Sequence, residues 1–446
     1  MKKGRLYVAP FFIFPPLIMK QLQLFYSLTI TCLFISCGGQ YETASTIDGE
    51  NISISQIESF VGREYFNGLT PSKKISVVKK YSMFKQLSGL KQNDPGMDID
   101  REKTRIENMI MIRKAEEHVF SGMEVSDSVI TFISDAINTD MFVKALTVSH
   151  RFSFGKGHER TREEARQRAH NIYNRIFEGE INFEEAMSIY GELNVSKVKG
   201  NDMGQIYYGF MPKNFNDIIW TAGMGRLLEP VESPMGFHVI IVDHTLPKHG
   251  DKKVPFDRES IIRDLNRGRY GYQAEHFQTF MDDQYAERNI DIDLEKLYSA
   301  WEHVKTVEGV NTMYGATIDK LKILDPTISL GKNGDDDLTL GWIIDTAQQF
   351  TFFQTAAINN GHSFQKIITD IVSRYILVDW VQKNKNLFPN IQASINRQSM
   401  NIIIKKYFDK MEELHPDMTR EIIINRFLIK NEISINRALF AEDISE

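Results

Sequence analysis

Cysteine is nearly absent from this chain of 446 residues, which carries only Cys32 and Cys37. No thiol is therefore available after Cys37 for a disulfide, a thiolate zinc site or a cysteine nucleophile. Long apolar runs are also scarce. The one that stands out, Leu22 to Ile35, is shorter than the roughly 20 apolar residues that a membrane-spanning helix needs. No later stretch is apolar enough to span a bilayer. Charge of one sign is not concentrated either: 53 Lys and Arg stand against 59 Asp and Glu, a formal net charge of −6. Phosphate binding calls for a basic surface, so nucleic acid is not an expected partner. The apolar and charged fractions, 42% and 25%, are ordinary for a folded protein, and the length suits two or three domains.

What is present begins with a leader. Met19-Lys20 open a short charged stub, Leu22 to Ile35 form an apolar core, and Ser36-Cys37-Gly38-Gly39 close it. This is the layout of a secretory signal, with Met19 read as the working start and residues 1–18 as an unused upstream stretch. The cysteine at the break resembles the lipobox of bacterial lipoproteins, although Phe34 stands where that motif prefers Leu. The resemblance implies a signal over residues 1–37, acylation of Cys37 and a lipid anchor in the membrane. An ordinary cleaved signal is the alternative.

Residues 38–46 read as a tether. A strand, a Gly-containing turn and a second strand are expected over 47–54, followed by helices at about 54–66, 72–91, 101–121 and 126–138. They make residues 47–142 a helical N-terminal region. Residues 246–446 form a second helical region, with helices at about 256–288, 340–358, 363–383, 390–414 and 418–430. Gly334 to Leu340 resembles Gly49 to Ile54, and each precedes a helical stretch. One such match is weak evidence of a repeat, and coincidence is the expectation.

The middle of the chain alternates differently. Leu146, Val148 and His150 share one face of a strand. A helix is predicted over 161–178, then a short one capped by Asn182 with Glu185 and running to Tyr190. A third follows near 214–220, and strands at 226–232 and 236–243 complete a β-α-α-α-β-β order. His150 and His238 sit in matching short strands, with Gly200-Asn201-Asp202-Met203-Gly204 and Gly209-Phe210-Met211-Pro212-Lys213-Asn214-Phe215 between them. In this order and spacing, residues 143–245 resemble the parvulin (rotamase) family of peptidyl-prolyl isomerases. The resemblance implies an α+β fold, a parvulin-like antiparallel sheet with surrounding helices, flanked here by mainly α-helical, chaperone-like regions.

Prolyl isomerisation needs no covalent intermediate, metal or cofactor. Its barrier of about 18–20 kcal/mol comes from amide resonance, and the X-Pro bond flips unaided in tens of seconds. A catalyst needs an apolar grip on the proline ring and a dry site for the twisted amide. Met211 and Phe215, four apart on a short helix, share a face that suits this grip. The resemblance implies that they form the proline pocket, and that His150 and His238 form a hydrogen-bonded pair shaping the site. Ser233 falls where the family often has Thr. The family's Cys or Asp near the susceptible carbonyl is replaced here by Leu193 or Asn194, and Asn194 can still donate a hydrogen bond. Asp243, His244 and His249 lack zinc-site spacing, and Asp335-Asp336-Asp337 lacks that of a calcium loop, so no metal is expected.

Signal, anchor, flanking helices and rotamase segment together resemble the SurA-like periplasmic foldases. The implied partners are unfolded or extended proline-containing exported polypeptides, and the implied location is the periplasm-facing cell envelope, at the outer membrane. A non-catalytic holdase whose parvulin domain only binds peptides is the alternative.

Overall fold

The computed structural model describes residues 42–89, 98–154, 158–192 and 202–441. The chain divides into two compact units: one combines residues up to 97 with those from 400 onward, and the other spans 98–399.

The first unit opens with a hairpin, β1 (Thr43–Ile47) and β2 (Glu50–Ser53). Its turn residues Asp48 and Gly49 both have positive φ, 45° and 81°, the two-residue geometry that follows the natural strand twist. Ser53 caps α1 (Ile54–Val61) through a full capping box with Gln56. The helix expected to reach residue 66 is interrupted at Gly62, and α2 (Arg63–Asn67) and α3 (Pro71–Ser88) follow.

The second unit begins with α4 (Ile99–Ser121), capped by Asp98, and α5 (Asp127–Ile137). Then come β3 (Thr139–Val148), α6 (Arg162–Phe177), α7 (Phe183–Tyr190), β4 (Asp202–Ile206), α8 (Lys213–Thr221), β5 (Leu227–Ser233) and β6 (Gly236–Pro247). The strands form one antiparallel sheet in the order β4-β3-β6-β5. The expected order therefore lacked a strand. β4 is a short edge strand reading Asp-Met-Gly-Gln-Ile, which has no apolar alternation to announce it. The expected cap of Asn182 with Glu185 starts α7, and a capping box of Thr161 with Glu164, not foreseen, starts α6.

Alternation along β3 and β6 gives the sheet two apolar faces. Met141, Val143, Ala145, Ile240 and Val242 pack with Phe215 and Ile219 of α8. Leu146, Val148, Phe237 and Val239 pack with Ala165, Ala169 and Ile172 of α6 and Phe183 of α7. At about 25 cal/mol per Å² of apolar surface buried, these two layers are the main support of the sheet.

Beyond the sheet lie α9 (Arg258–Asn266), α10 (Tyr272–Glu287), β7 (Ile290–Ile292), α11 (Leu294–Val304), β8 (Ser329–Asn333), β9 (Asp336–Thr339), α12 (Leu340–Ala347) and α13 (Gly361–Lys383). The helix expected over 256–288 is split, because Gly268, Tyr270 and Gly271 all take positive φ and end the α9 ladder. The helix expected over 340–358 stops at Ala347. α13 packs along α4.

From α14 (Ile391–Leu414) the chain passes back into the first unit, with α15 (Arg420–Lys430) and β10 (Ser434–Ile435). β10 pairs with β1. Residues 49–54 and 334–340 lie in similar local elements. Each lies in a two-residue-turn hairpin followed by a helix capped by a hydroxyl, Ser53 in one case and Thr339 in the other. In both, a third strand pairs with the first strand of the hairpin. Among the described residues no helix is long and apolar enough to cross a membrane.

Candidate active site

β6 carries His238 on the α8 side of the sheet, in line with Ile240 and Val242. The β5–β6 turn leaves no freedom in how it arrives there. Gly236 has φ of 125°, and a Cβ at that position would lie 2.4 Å from the Val148 carbonyl oxygen, so only glycine fits. Register then places Thr147 of β3 directly opposite His238.

The His238 ring is buried and bonded at both nitrogens. Nδ1 lies 2.8 Å from the Thr147 hydroxyl and Nε2 lies 2.6 Å from the Ser233 hydroxyl. Ser233 Oγ also accepts the Met235 N–H at 3.0 Å. Burial pushes the imidazole down to about 4, so the ring is neutral at pH 7. The Phe215 ring meets it edge-on, 5.2 Å between centroids.

His150 lies past the end of β3, whose last residue is Val148. The strand was expected to reach it. Instead the chain turns, with Ser153 N–H donating to the His150 carbonyl and His150 N–H donating to the Ser153 hydroxyl. Nδ1 of His150 accepts from Phe152 N–H at 3.3 Å, which leaves the proton of the neutral ring on Nε2. Burial lowers this imidazole too, Glu232 pulls it up, and Arg162 and His362 add to the lowering. The expected hydrogen bond between the histidines is not formed. Hydroxyls occupy both nitrogens of His238, and the loop after His150 is joined instead to the β5–β6 turn by Phe154 N–H donating to the Pro234 carbonyl at 2.6 Å.

Phe215 lies on α8, whereas Met211 precedes the helix, whose N-cap is Pro212. The two do not share the helical face expected of them, yet both pack on the His238 side of the sheet. Phe215 is fully buried and Met211 partly so, both packed against the sheet. Phe215 thus forms a floor, and Met211 is the more accessible member of the pair. The Asn216 side chain holds the Met211 carbonyl, and Lys213 and Tyr208 both bond Asp217, at 2.6 and 2.9 Å. Leu193 and Asn194 lie outside the described residues, as does Cys37.

Three groups beside the histidines gave no clear sign in the sequence. Thr147 was legible only through its register with His238. Glu192 accepts from Ser149 N–H at 2.8 Å, from the Ser149 hydroxyl at 3.1 Å and from Arg160 at 2.7 Å, while Arg160 also donates to the Ser149 carbonyl. Burial acts to raise the Glu192 carboxyl, but Arg160 and Ser149 outweigh it and hold it below its ordinary value. This network fixes the residue next to His150. The third group, Arg162, grips Glu232 with two nitrogens. Its only sequence signal was its place at the start of α6.

His244 stacks on Phe142 at 4.0 Å and bonds Asp243. Among the described residues no cluster of His, Cys, Asp and Glu could hold a metal ion. What the site offers is an apolar floor, neutral imidazoles and hydroxyl donors, all largely shielded from water. Such a site favours a less polar, twisted amide over a planar one.

Residues 151–244 match the family model Rotamase, the PPIC-type PPIASE domain. The Chaperone SurA of Alcanivorax borkumensis is 25% identical over 132 residues, 30% of this chain and 29% of that protein. The Foldase protein PrsA 1 of Bacillus cereus is 35% identical over 85 residues, 19% of this chain and 28% of that protein. The chain thus spans under a third of the length of these curated relatives. A solved Bacillus cereus peptidylprolyl isomerase (PrsA) is 18% identical, covers 60% of this chain and 100% of its own, and has a TM-score of 0.29.

Proposed function

We propose, from the rotamase match over residues 151–244, that this chain is a peptidyl-prolyl cis-trans isomerase that assists the folding of exported proteins in the cell envelope. The observation that carries the reading is the convergence of Thr147, Ser233 and Phe215 on a buried, neutral His238, with His150 and Met211 beside it. In this reading Met211 holds the proline ring over the Phe215 floor. His238, held by two hydroxyls, keeps the site dry and uncharged, and His150 borders the susceptible carbonyl, with Leu193 or Asn194 at the sequence position of the family's Cys or Asp. The twisted amide, having lost resonance, is less polar than the planar one and gains from such a site.

The leader supports the location. A secretory signal ending at Cys37, acylated there, would tether the chain to the periplasmic face of a membrane, the outer one by the SurA-like resemblance. The clients are then unfolded, proline-containing polypeptides in transit. The segment 143–245 is the isomerase domain, and the helical regions 47–142 and 246–446 are the chaperone part.

The test is cis-trans isomerisation of a proline tetrapeptide by the chain from Cys37 onward. Catalysis that falls at least tenfold with Met211→Ala supports the reading. A rate equal to the uncatalysed one, alongside suppressed aggregation of an unfolded client, would replace it with a non-catalytic holdase. Mass measurement of the acylated N-terminal peptide tests the anchor.

A further inference from the structure

The His150 side of the site opens into a cavity of about 490 Å³, within the range of about 300–1,000 Å³ common for ligand pockets. Its walls come from two parts of the chain. His150, Pro212 and Ser233 belong to the rotamase segment, whereas Lys366, Thr369 and Asp370 belong to α13.

The two walls are fastened together. His362, near the start of α13, donates through Nδ1 to the Phe152 carbonyl at 3.0 Å. Phe152 stacks on Tyr298 of α11 at 4.6 Å, and Arg151 pairs with Glu302 at 3.3 Å. Tyr298 also accepts the Arg162 N–H through its hydroxyl at 2.8 Å. A Cβ at Gly361 would lie 2.7 Å from the Phe152 ring and 2.8 Å from the Arg151 carbonyl oxygen, so the helix approaches as closely as a backbone can.

The charges around the cavity are paired within each wall. Arg162 holds Glu232 with two nitrogens, and Lys366 holds Asp370 at 2.6 Å. A charged residue entering between them finds each opposite charge already taken by a part-exposed, screened pair, so its loss of water is only partly repaid. An uncharged segment meets apolar surface and hydrogen-bonding groups at no such cost.

We propose that α13 is the second wall of the peptide site, and that the cleft selects uncharged residues next to the proline. This deepens the isomerase reading and rests on it for its catalytic consequence, although binding can be measured without it.

The experiment uses the chain from Cys37 onward and fluorescent peptides Ala-X-Pro-Phe, with X as Leu, Gln, Glu or Lys. Affinity is read by anisotropy and isomerisation is read in parallel. Leu and Gln peptides are expected to bind ~10-fold more tightly than Glu and Lys peptides. Asp370→Asn leaves Lys366 without its carboxylate and should bring the Glu peptide to within ~2-fold of the Leu peptide. Thr369→Trp, checked for folding by circular dichroism, fills the cleft and should weaken all four by at least ~10-fold. Affinities indifferent to X and to both variants, with isomerisation intact, overturn the cleft and leave the isomerase. The expected pattern of affinities without catalysis upholds the cleft and removes the isomerase. Absence of both binding and catalysis overturns both.

Discussion

The buried His238 makes stability of the sheet depend on pH in a direction that can be stated in advance. In the unfolded chain this imidazole takes a proton near 6.5, whereas in the folded sheet it resists protonation down to about 4. Between those values the unfolded state binds more protons, so the contribution is fully present above pH 6.5 and declines as pH falls toward 4. At about 1.4 kcal/mol per pH unit the whole contribution is about 3.5 kcal/mol, of which about 2.5 kcal/mol is gone by pH 4.5. Other groups titrate in the same window, so the measurement has to be differential. His238→Gln removes the titration and keeps a polar side chain. Because the chain has two units, a single global unfolding curve is a poor readout, and local opening is the better one. Amide hydrogen exchange in β3 and β6, corrected for intrinsic rates, gives that opening free energy. The advantage of the native protein over the variant should shrink by about 2.5 kcal/mol between pH 7 and 4.5. An advantage that stays constant, or grows on acidification, refutes the account of a desolvated neutral imidazole.

Glu192→Ala removes the acceptor for Ser149 and Arg160 and should cost about 3 kcal/mol of local stability; hydrogen exchange at the end of β3 checks this, and unchanged protection counts against the network. Phe215→Ala empties the core beneath His238 and should cost about 3–5 kcal/mol, read as lost protection in β6 together with lost isomerisation. Gly236→Ala forces a side chain against the Val148 carbonyl at φ of 125° and should lower stability by at least about 2 kcal/mol; a neutral result would mean that the turn is free to rearrange. Thr147→Val keeps the shape but leaves His238 Nδ1 without a partner, at about 1–3 kcal/mol, and nitrogen NMR of the ring should report a changed tautomer population.

The sequence made the strands of the site visible wherever alternation was strong. The strand expected over 236–243 is β6, and the N-cap Asn182 starts its helix as its side chain dictates. β4 stayed hidden because an edge strand of five residues needs no apolar pattern, only a partner. The position of His150 was misjudged by two residues, since a strand pattern does not say where its hydrogen bonds stop. Long helices were overextended at 62, 267–271 and 347, where backbone turns override an otherwise helical composition. The largest gap concerned charge. Glu192, Arg160, Arg162 and Glu232 looked like ordinary surface residues, because ion pairs join positions that only the fold brings together.

The pairing of β1 with β10 carries a further consequence. Thr46 and Ser434 face each other across that pairing, their hydroxyls 2.8 Å apart, and Gln86 reaches Asn431 at 3.0 Å. A ribosome delivers the hairpin β1–β2 first and its third strand nearly four hundred residues later. Until then β1 has an open edge, the kind of surface that recruits foreign strands. The continuous unit of residues 98–399 has no such wait and can complete itself in the interval. For most of its own synthesis, therefore, the chain has an exposed edge awaiting its last partner.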